Sequence, residues 1–452
     1  MTSSKTIRVI LAVAAASWAA TALAGPYSSA LNNPTNPYDA PVPGFVGPDG
    51  EGRSRLDDGE GEFINPNNFV NPLFFGWAIG WTSYLRSDAD SAYSDASLSL
   101  GPVTGDVFDV VSLGDLTAAQ ISSGKPPGQI TLHFTDASRT RPIRNLSGAD
   151  FVIFENGLLA GYNTGGAGIG GLFAELAYVE VSSDGVNFAR FPSISLTPSA
   201  VGTSGTIDPT NVLNLAGKHV NAYGESWGTP FDLTALANHP LVTAGTLDLN
   251  NVRYVRVVDI PGNGSFLDSA TPTPHPIYDV WRTFGSGGFD LEAIGTISVA
   301  VTFEAWQDLR GLSGDARGAN ADPDHDGVPN LLEYAFARLP TQRDAEAAPT
   351  SVEILDGRLT ISFTRDERAR DLKYEVQFSE TLAANSWMTI AQSIGGLPVA
   401  GVNDYTPVIS ETSASPIASI GVLRKVRVSD VQPISGSAHR FLRVRVSQIA
   451  VP

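Results

Sequence analysis

The segment Ala177–Phe188, "AYVEVSSDGVNF", decides the fold class. Val179 and Val181 alternate with Glu180 and Ser182, the period-two pattern of a strand with one buried face. Asp184-Gly185 then supplies a turn, because glycine reaches positive φ without a Cβ clash, and the chain returns through Phe188. This is a hairpin, and the same grammar recurs on both sides of it.

Upstream, in "QITLHF", Ile130, Leu132 and Phe134 alternate with Thr131 and His133. "FVIF" (Phe151–Phe154) is continuously apolar, as a strand buried on both faces would be. Downstream, "VRYVRVVDI" and "AIGTISVAV" read as further strands. Many short strands between Gly, Pro and Asn turns predict an antiparallel β-sandwich over residues 69–300. Residues 25–68 are rich in Pro, Gly, Asn and Asp, lack periodicity and read as a loose lead-in.

From Phe303 the pattern changes. "FEAWQDLRGL" predicts a short helix, and in "NLLEYAFARLP" Leu332, Ala335, Phe336 and Leu339 share a helical face that Pro340 ends. Residues 301–345 are therefore a helical linker. Alternation resumes at Leu359, Ile361 and Phe363, again from Leu372 to Phe378, and again at Leu442, Val444 and Val446. Residues 346–452 predict a second, smaller β-sandwich, of immunoglobulin-like size. The fold class expected is mainly β.

The linker contains "ADPDHDGVPNLLEY" (Ala321–Tyr334), which has the spacing of a calcium loop. Asp322, Asp324 and Asp326 occupy positions 1, 3 and 5, and Gly327 stands at the sharp turn. Val328 offers a backbone carbonyl at position 7, Asn330 stands at position 9, and Glu333 closes the loop at position 12. Calcium takes six to eight hard oxygens, and alternate acidic residues on a tight loop converge on one point. Pro329 at position 8 lacks the N–H through which paired loops join, and "SGDARGANA" is a poor entering helix. A lone loop acting as a calcium-fixed joint between two sandwiches is expected.

The chain has 47 acidic and 29 basic side chains, a net charge of −18, and no cysteine. The acidic surplus repels phosphate backbones and excludes nucleic acid as the expected partner. Without cysteine there are no disulfides, thiolate metal sites or thiol catalysis. Met1–Ala24 reads as a secretory signal: Lys5 and Arg8 precede an apolar run to Leu23, with Ala22-Leu23-Ala24 as a cleavage site. Its removal would take the net charge to −20. The mature chain is then expected to be secreted or at the cell surface, with no membrane span.

Several motif matches lack their structural context. "GESWG" (Gly224–Gly228) has the spacing of a nucleophile elbow, yet no strand–helix frame surrounds Ser226. "GAGIGG" (Gly166–Gly171) leads into a strand rather than a helix. The six histidines are scattered without zinc spacing. "NPLFFGWAIGWTSYL" concentrates Phe74, Phe75, Trp77, Trp81 and Tyr84, which read first as core and, where exposed, as platforms for sugar rings.

Together, "VSLGDL", "GADFVIFENG", "AELAYVEVSSDGVNFARFPS", "YGESWGTPFDL", "VRYVRVVDI" and "GGFDLEAIG" resemble a family of bacterial secreted cell-surface proteins of the PEP-CTERM-associated type. The calcium loop is similar to single-loop modules of the dockerin and thrombospondin type 3 kind. The chain departs from many members in lacking the Pro-Glu-Pro sorting signal, apolar span and basic tail. The resemblance implies a jelly-roll sandwich, and such modules often hold a structural calcium. Asp150, Glu155, Asp184, Asp290 and Glu292 fall in the shared strings at strand ends and are the expected further ligands or second metal site. The function expected is non-catalytic binding of a glycan or other envelope component, with calcium as the one cofactor. The alternatives are a secreted glycan hydrolase or lyase and a purely structural matrix protein.

Overall fold

The hairpin forms as predicted. Ala177–Ser182 pairs antiparallel with Ala189–Arg190, placing Val181 opposite Ala189 and Glu180 opposite Arg190. Gly185 takes φ +77, and the Asp184 carboxylate accepts the Val186 and Asn187 amides at 2.8 Å. The structure is a computed structural model describing residues 25–31, 39–56, 63–90, 92–135, 141–285, 287–343, 348–414, 421–436 and 439–450. The predicted signal at residues 1–24 lies outside them.

Two sheets make the first sandwich. In one, Ala189–Arg190, Ala177–Ser182, Tyr254–Asp259, Gln129–His133 and Gly80–Leu85 follow in that order. In the other, the order is Val42–Pro43, Trp227–Phe231, Phe151–Glu155, Asp290–Thr296 and Gly76–Trp77, with Val111–Ser112 pairing to the start of Asp290–Thr296. Every pairing is antiparallel. Ile130, Leu132, Val179, Val181, Val255 and Val257 face Phe151, Ile153, Phe231, Leu291 and Ile294 in one core.

The reason "FVIF" lacks alternation is visible in the packing. Phe151 and Ile153 enter that core, while Val152 and Phe154 enter a second one with Val42, Phe45 and Ala293. The residue 25–68 segment is not a loose lead-in where it is described. Val42–Pro43 is an edge strand of the second sheet, and Asp39 forms a buried ion pair with Lys218. Its Pro and Gly content hid a strand of two residues, too short to show periodicity.

The C-terminal region stacks two four-stranded antiparallel sheets. One runs Thr350–Leu355, Arg358–Asp366, Leu423–Pro433, Val408–Ser413; the other runs Ala400–Gly401, Met388–Ile394, Leu372–Ser379, Phe441–Gln448. Between the two sandwiches lies the linker, with helices Phe303–Leu309 and Asn330–Ala335. The second helix stops at Ala335, short of Pro340, because Ala337 takes φ +57. Phe303, Trp306, Tyr334 and Phe336 join a core shared with Phe75 and Val299 of the first sandwich and Phe363 and Tyr374 of the second.

Polar contacts close the same seam. Arg368 pairs with Asp366 at 2.6 Å, donates to the Leu73 and Ile297 carbonyls, and lies 3.9 Å over the Phe75 ring. A parallel bridge joins Val301 to Ala369. Apolar packing and satisfied buried charge therefore tie the two sandwiches through the linker.

Candidate functional site

The aspartate loop is the first site. His325 at φ +60 and Gly327 at φ +95 fold it back on itself. One oxygen each of Asp322, Asp324 and Asp326 lies within 4.8 Å of the others, so this trio can hold a metal ion. Backbone amides orient the carboxylates. Asp326 N donates to Asp322 Oδ1 and Asp324 Oδ1 at 3.2 Å, Gly327 N to Asp322 Oδ2 at 3.0 Å, and Val328 N to Asp326 Oδ1 at 2.8 Å.

Two further observations fit a cation. Asp324 Oδ2 is buried with no hydrogen-bond partner, and so is Asn330 Oδ1. An oxygen stripped of water without a donor is costly, and a cation removes that cost. The Asn330 amide nitrogen is used elsewhere, donating to the Ala316 and Gly318 carbonyls at 2.7 and 3.0 Å, which folds the segment before the loop onto it. Glu333 is fully buried and lies outside the close trio. Partial burial and the neighbouring Asp326 charge push the Asp324 carboxyl up.

The second site is a cleft of about 400 Å³ at one end of the first sandwich. Glu175, Asp290, Asn156 and Thr283 line it, and Tyr93, Phe108, Tyr223 and Phe284 stand around it. Phe284 is 70 % exposed, Tyr223 61 % and Phe108 53 %. Tyr93 stacks on Phe108 with centroids 6.4 Å apart. These rings come from three separate connections between strands, which is why no sequence stretch displays them together.

Topology explains the acidic floor. Glu155 ends one strand where Asp290 begins its neighbour, with Glu155 opposite Leu291. Asp259 ends the strand whose partner begins at Ala177, just after Glu175. Asp115 follows Val111–Ser112 and Asp279 follows Pro276–Tyr278, and all six carboxylates are buried. Backbone amides hold four of them: Thr283 N on Asp115 Oδ2 at 3.0 Å, Gly157 N on Glu155 Oε2 at 2.9 Å, Phe289 N on Asp259 Oδ1 at 2.9 Å, and Leu176 N on Asp279 Oδ2 at 2.8 Å.

Burial pushes the Glu155, Glu175, Asp259 and Asp279 carboxyls well up, with the neighbouring carboxylates adding to it, and takes Asp115 to about 6. Arg282 acts against this at Asp115. Such groups can donate a hydrogen bond when protonated or gather a cation when ionised.

The predicted residues divide. Glu155 and Asp290 belong to this group. Asp150 does not: it staples two loops, accepting Leu146 N at 3.0 Å and Leu233 N at 2.7 Å. Glu292 is occupied by Thr104 N, Gly105 N and the Asn221 amide. Asp184 caps the hairpin turn; the Asn187 side-chain amide and the local backbone amides hold its carboxyl well below the usual range. These three shape turns rather than a site. Sequence reasoning passed over Asp115, Glu175, Asp259 and Asp279, although each sits next to apolar strand residues, as in "FAEL" and "RVVDI".

The rejected motifs stay rejected. Ser226 is buried and leads into the Trp227–Phe231 strand, and Gly166 pairs with Thr206 in a loop bridge. In the aromatic stretch, Phe74 and Phe75 are core, while Trp81 is exposed. No helix among the described residues is long and apolar enough to cross a membrane. Comparison with known proteins finds no matching family model, curated protein or solved structure.

Proposed function

We propose that this is an exported, calcium-stabilised binding protein of the cell surface or extracellular space, and that its cleft takes a glycan. The observation that carries the reading is the pairing of aromatic rings, three of them exposed, with a polar floor. Tyr93, Phe108, Tyr223 and Phe284 offer flat apolar faces to the C–H faces of sugars, while Asn156, Thr283, Glu175 and Asp290 offer hydrogen bonds to hydroxyls. The acidic floor favours neutral or cationic sugars over uronates and sulfated chains. Calcium, held by Asp322, Asp324, Asp326, the Val328 carbonyl, Asn330 and Glu333, fixes the joint rather than touching the ligand. Export rests on the N-terminal segment, and placement at the surface on the resemblance noted above.

Polysaccharide pull-down and a glycan array, each with and without chelator, test this. Retention of neutral glycans supports it, and failure to retain any sugar removes it. One observation favours a second reading, a glycan hydrolase or lyase: the protonated form of Glu175, favoured by burial, is suited to general-acid work beside Asp290. Release of reducing or unsaturated sugar ends, lost in Glu175→Gln, separates that reading from simple binding.

A further inference from the structure

Asp115 and Asp259 share an unusual pattern. Each is almost wholly buried, at 2 % and 1 % exposure. In each, one oxygen is pinned by a backbone amide, Thr283 N for Asp115 and Phe289 N for Asp259. In each, the sister oxygen, Asp115 Oδ1 and Asp259 Oδ2, is buried with no hydrogen-bond partner. Pinning fixes the direction of a carboxylate, so the bare oxygens are held where they are. Burying even one such oxygen without a donor or cation is strongly unfavourable.

The two carboxylates belong to one place. Thr283 Oγ1 accepts the Gly288 amide at 2.9 Å, and Phe289, the next residue, donates to Asp259. A Cβ at Gly288 would lie 2.6 Å from the Gly114 carbonyl oxygen and 2.8 Å from Asp259 Oδ1, so glycine there leaves room for oxygens to gather. Asp279 also acts on both Asp259 and Asp115. Among the described residues, none of Asp115, Asp259 and Asp279 is in an ion pair with Lys or Arg. Arg86 is spoken for by Asp88 at 2.6 Å and reaches the Gly285 carbonyl.

We propose that this end of the first sandwich holds a second hard divalent cation, of the calcium class, liganded by Asp115 Oδ1 and Asp259 Oδ2, with the Gly114 carbonyl beside them. The oxygen-only donor set and irregular, carboxylate-and-carbonyl lining match calcium rather than zinc or copper. The site is separate from the 322–333 loop and independent of what the cleft binds. Its role follows from the pinning. Asp115 and Asp259 grip the two ends of the turn that carries Phe284, so an ion joining them fixes one wall of the cleft.

Calcium counting on the full mature chain tests the proposal. After equilibration in calcium and gel filtration, bound calcium is measured by atomic emission. Wild type is expected to carry two ions, and the loop variant Asp322→Ala/Asp326→Ala to keep one. Adding Asp115→Asn and Asp259→Asn to the loop variant should remove that one. A loop variant that binds none overturns the proposal, since protons alone then neutralise the cluster. An ion that survives both Asn substitutions also overturns it, by placing the site elsewhere. Asn is isosteric and keeps the amide-accepting oxygen; should the quadruple variant not fold, Asp115→Asn or Asp259→Asn singly in the loop variant takes its place, with loss of the ion expected and its full retention in both overturning the proposal.

Discussion

The Tyr334 hydroxyl lies 2.9 Å from Asp371 Oδ1, and the other oxygen of that carboxylate accepts the Phe303 amide at 2.8 Å. One buried aspartate of the second sandwich thus holds both linker helices, and Tyr334 follows directly on Glu333 of the aspartate loop. Burial and the Asp371 charge push the Tyr334 phenol far up, so it stays a donor at any physiological pH.

Tyr334→Phe keeps the ring contacts with Phe303 and Trp306 and removes only the hydroxyl. Asp371 Oδ1 and the Val301 carbonyl, which share its one proton at 2.9 and 2.8 Å, then lose their donor inside the seam. The expected cost is about 1–3 kcal/mol, read as a drop in Cm at unchanged m in urea. A variant as stable as wild type would show that this contact does not hold the joint.

Asp322→Ala/Asp326→Ala removes two of the three gathered carboxylates. Wild type is expected to melt higher in calcium than in chelator, by about 2.7 kcal/mol when calcium is 100-fold above its dissociation constant. In the variant the loop's share of that shift disappears, and the share that stays belongs to the second site. Differential scanning calorimetry in both buffers measures it. A wild-type curve indifferent to calcium speaks against the loop as a joint.

Phe284→Ala and Tyr223→Ala each remove an exposed ring from the cleft. Neither side chain is core, so melting should move by less than about 0.5 kcal/mol. Affinity for a retained glycan should fall roughly tenfold per ring, the equivalent of about 1.4 kcal/mol. Calorimetric titration distinguishes this from an unchanged affinity, which would put the ligand elsewhere.

Burial takes Glu292 from 4.5 to about 7, opposed by the hydrogen bonds it accepts. The folded chain therefore binds a proton that the unfolded chain has released. Stability from this group is complete below pH 4.5 and is lost as pH rises through about 7. His219 works oppositely, since burial holds its imidazole well below 6.5, but above that pH it is neutral folded and unfolded alike. Between pH 6.5 and 8 in chelator, Glu292 alone should cost about 1 kcal/mol. Melting temperature is expected to fall across that window; a flat or rising profile would contradict the burial argument.

The strands were legible because alternation and the Asp184-Gly185 turn are local signals. The aspartate trio was legible for the same reason, its carboxylates lying within five residues. The edge strand at Val42–Pro43 was not, because two residues carry no period. The acidic floor was one-third legible: Glu155 and Asp290 stood in recognisable strings, whereas Glu175 and Asp259 joined them only through the pairing of Ala177 with Asp259. Asp150, Asp184 and Glu292 looked alike in sequence, and only the fold shows both oxygens of each carboxylate engaged by hydrogen bonds.

The rings around the cleft arrive from positions 93, 108, 223 and 284, on three separate connections between strands. No proteolytic fragment or short peptide can therefore carry the proposed binding surface; it exists only once both sheets have assembled. A library randomised at these four positions should retune ligand preference while leaving the framework's expression and melting intact.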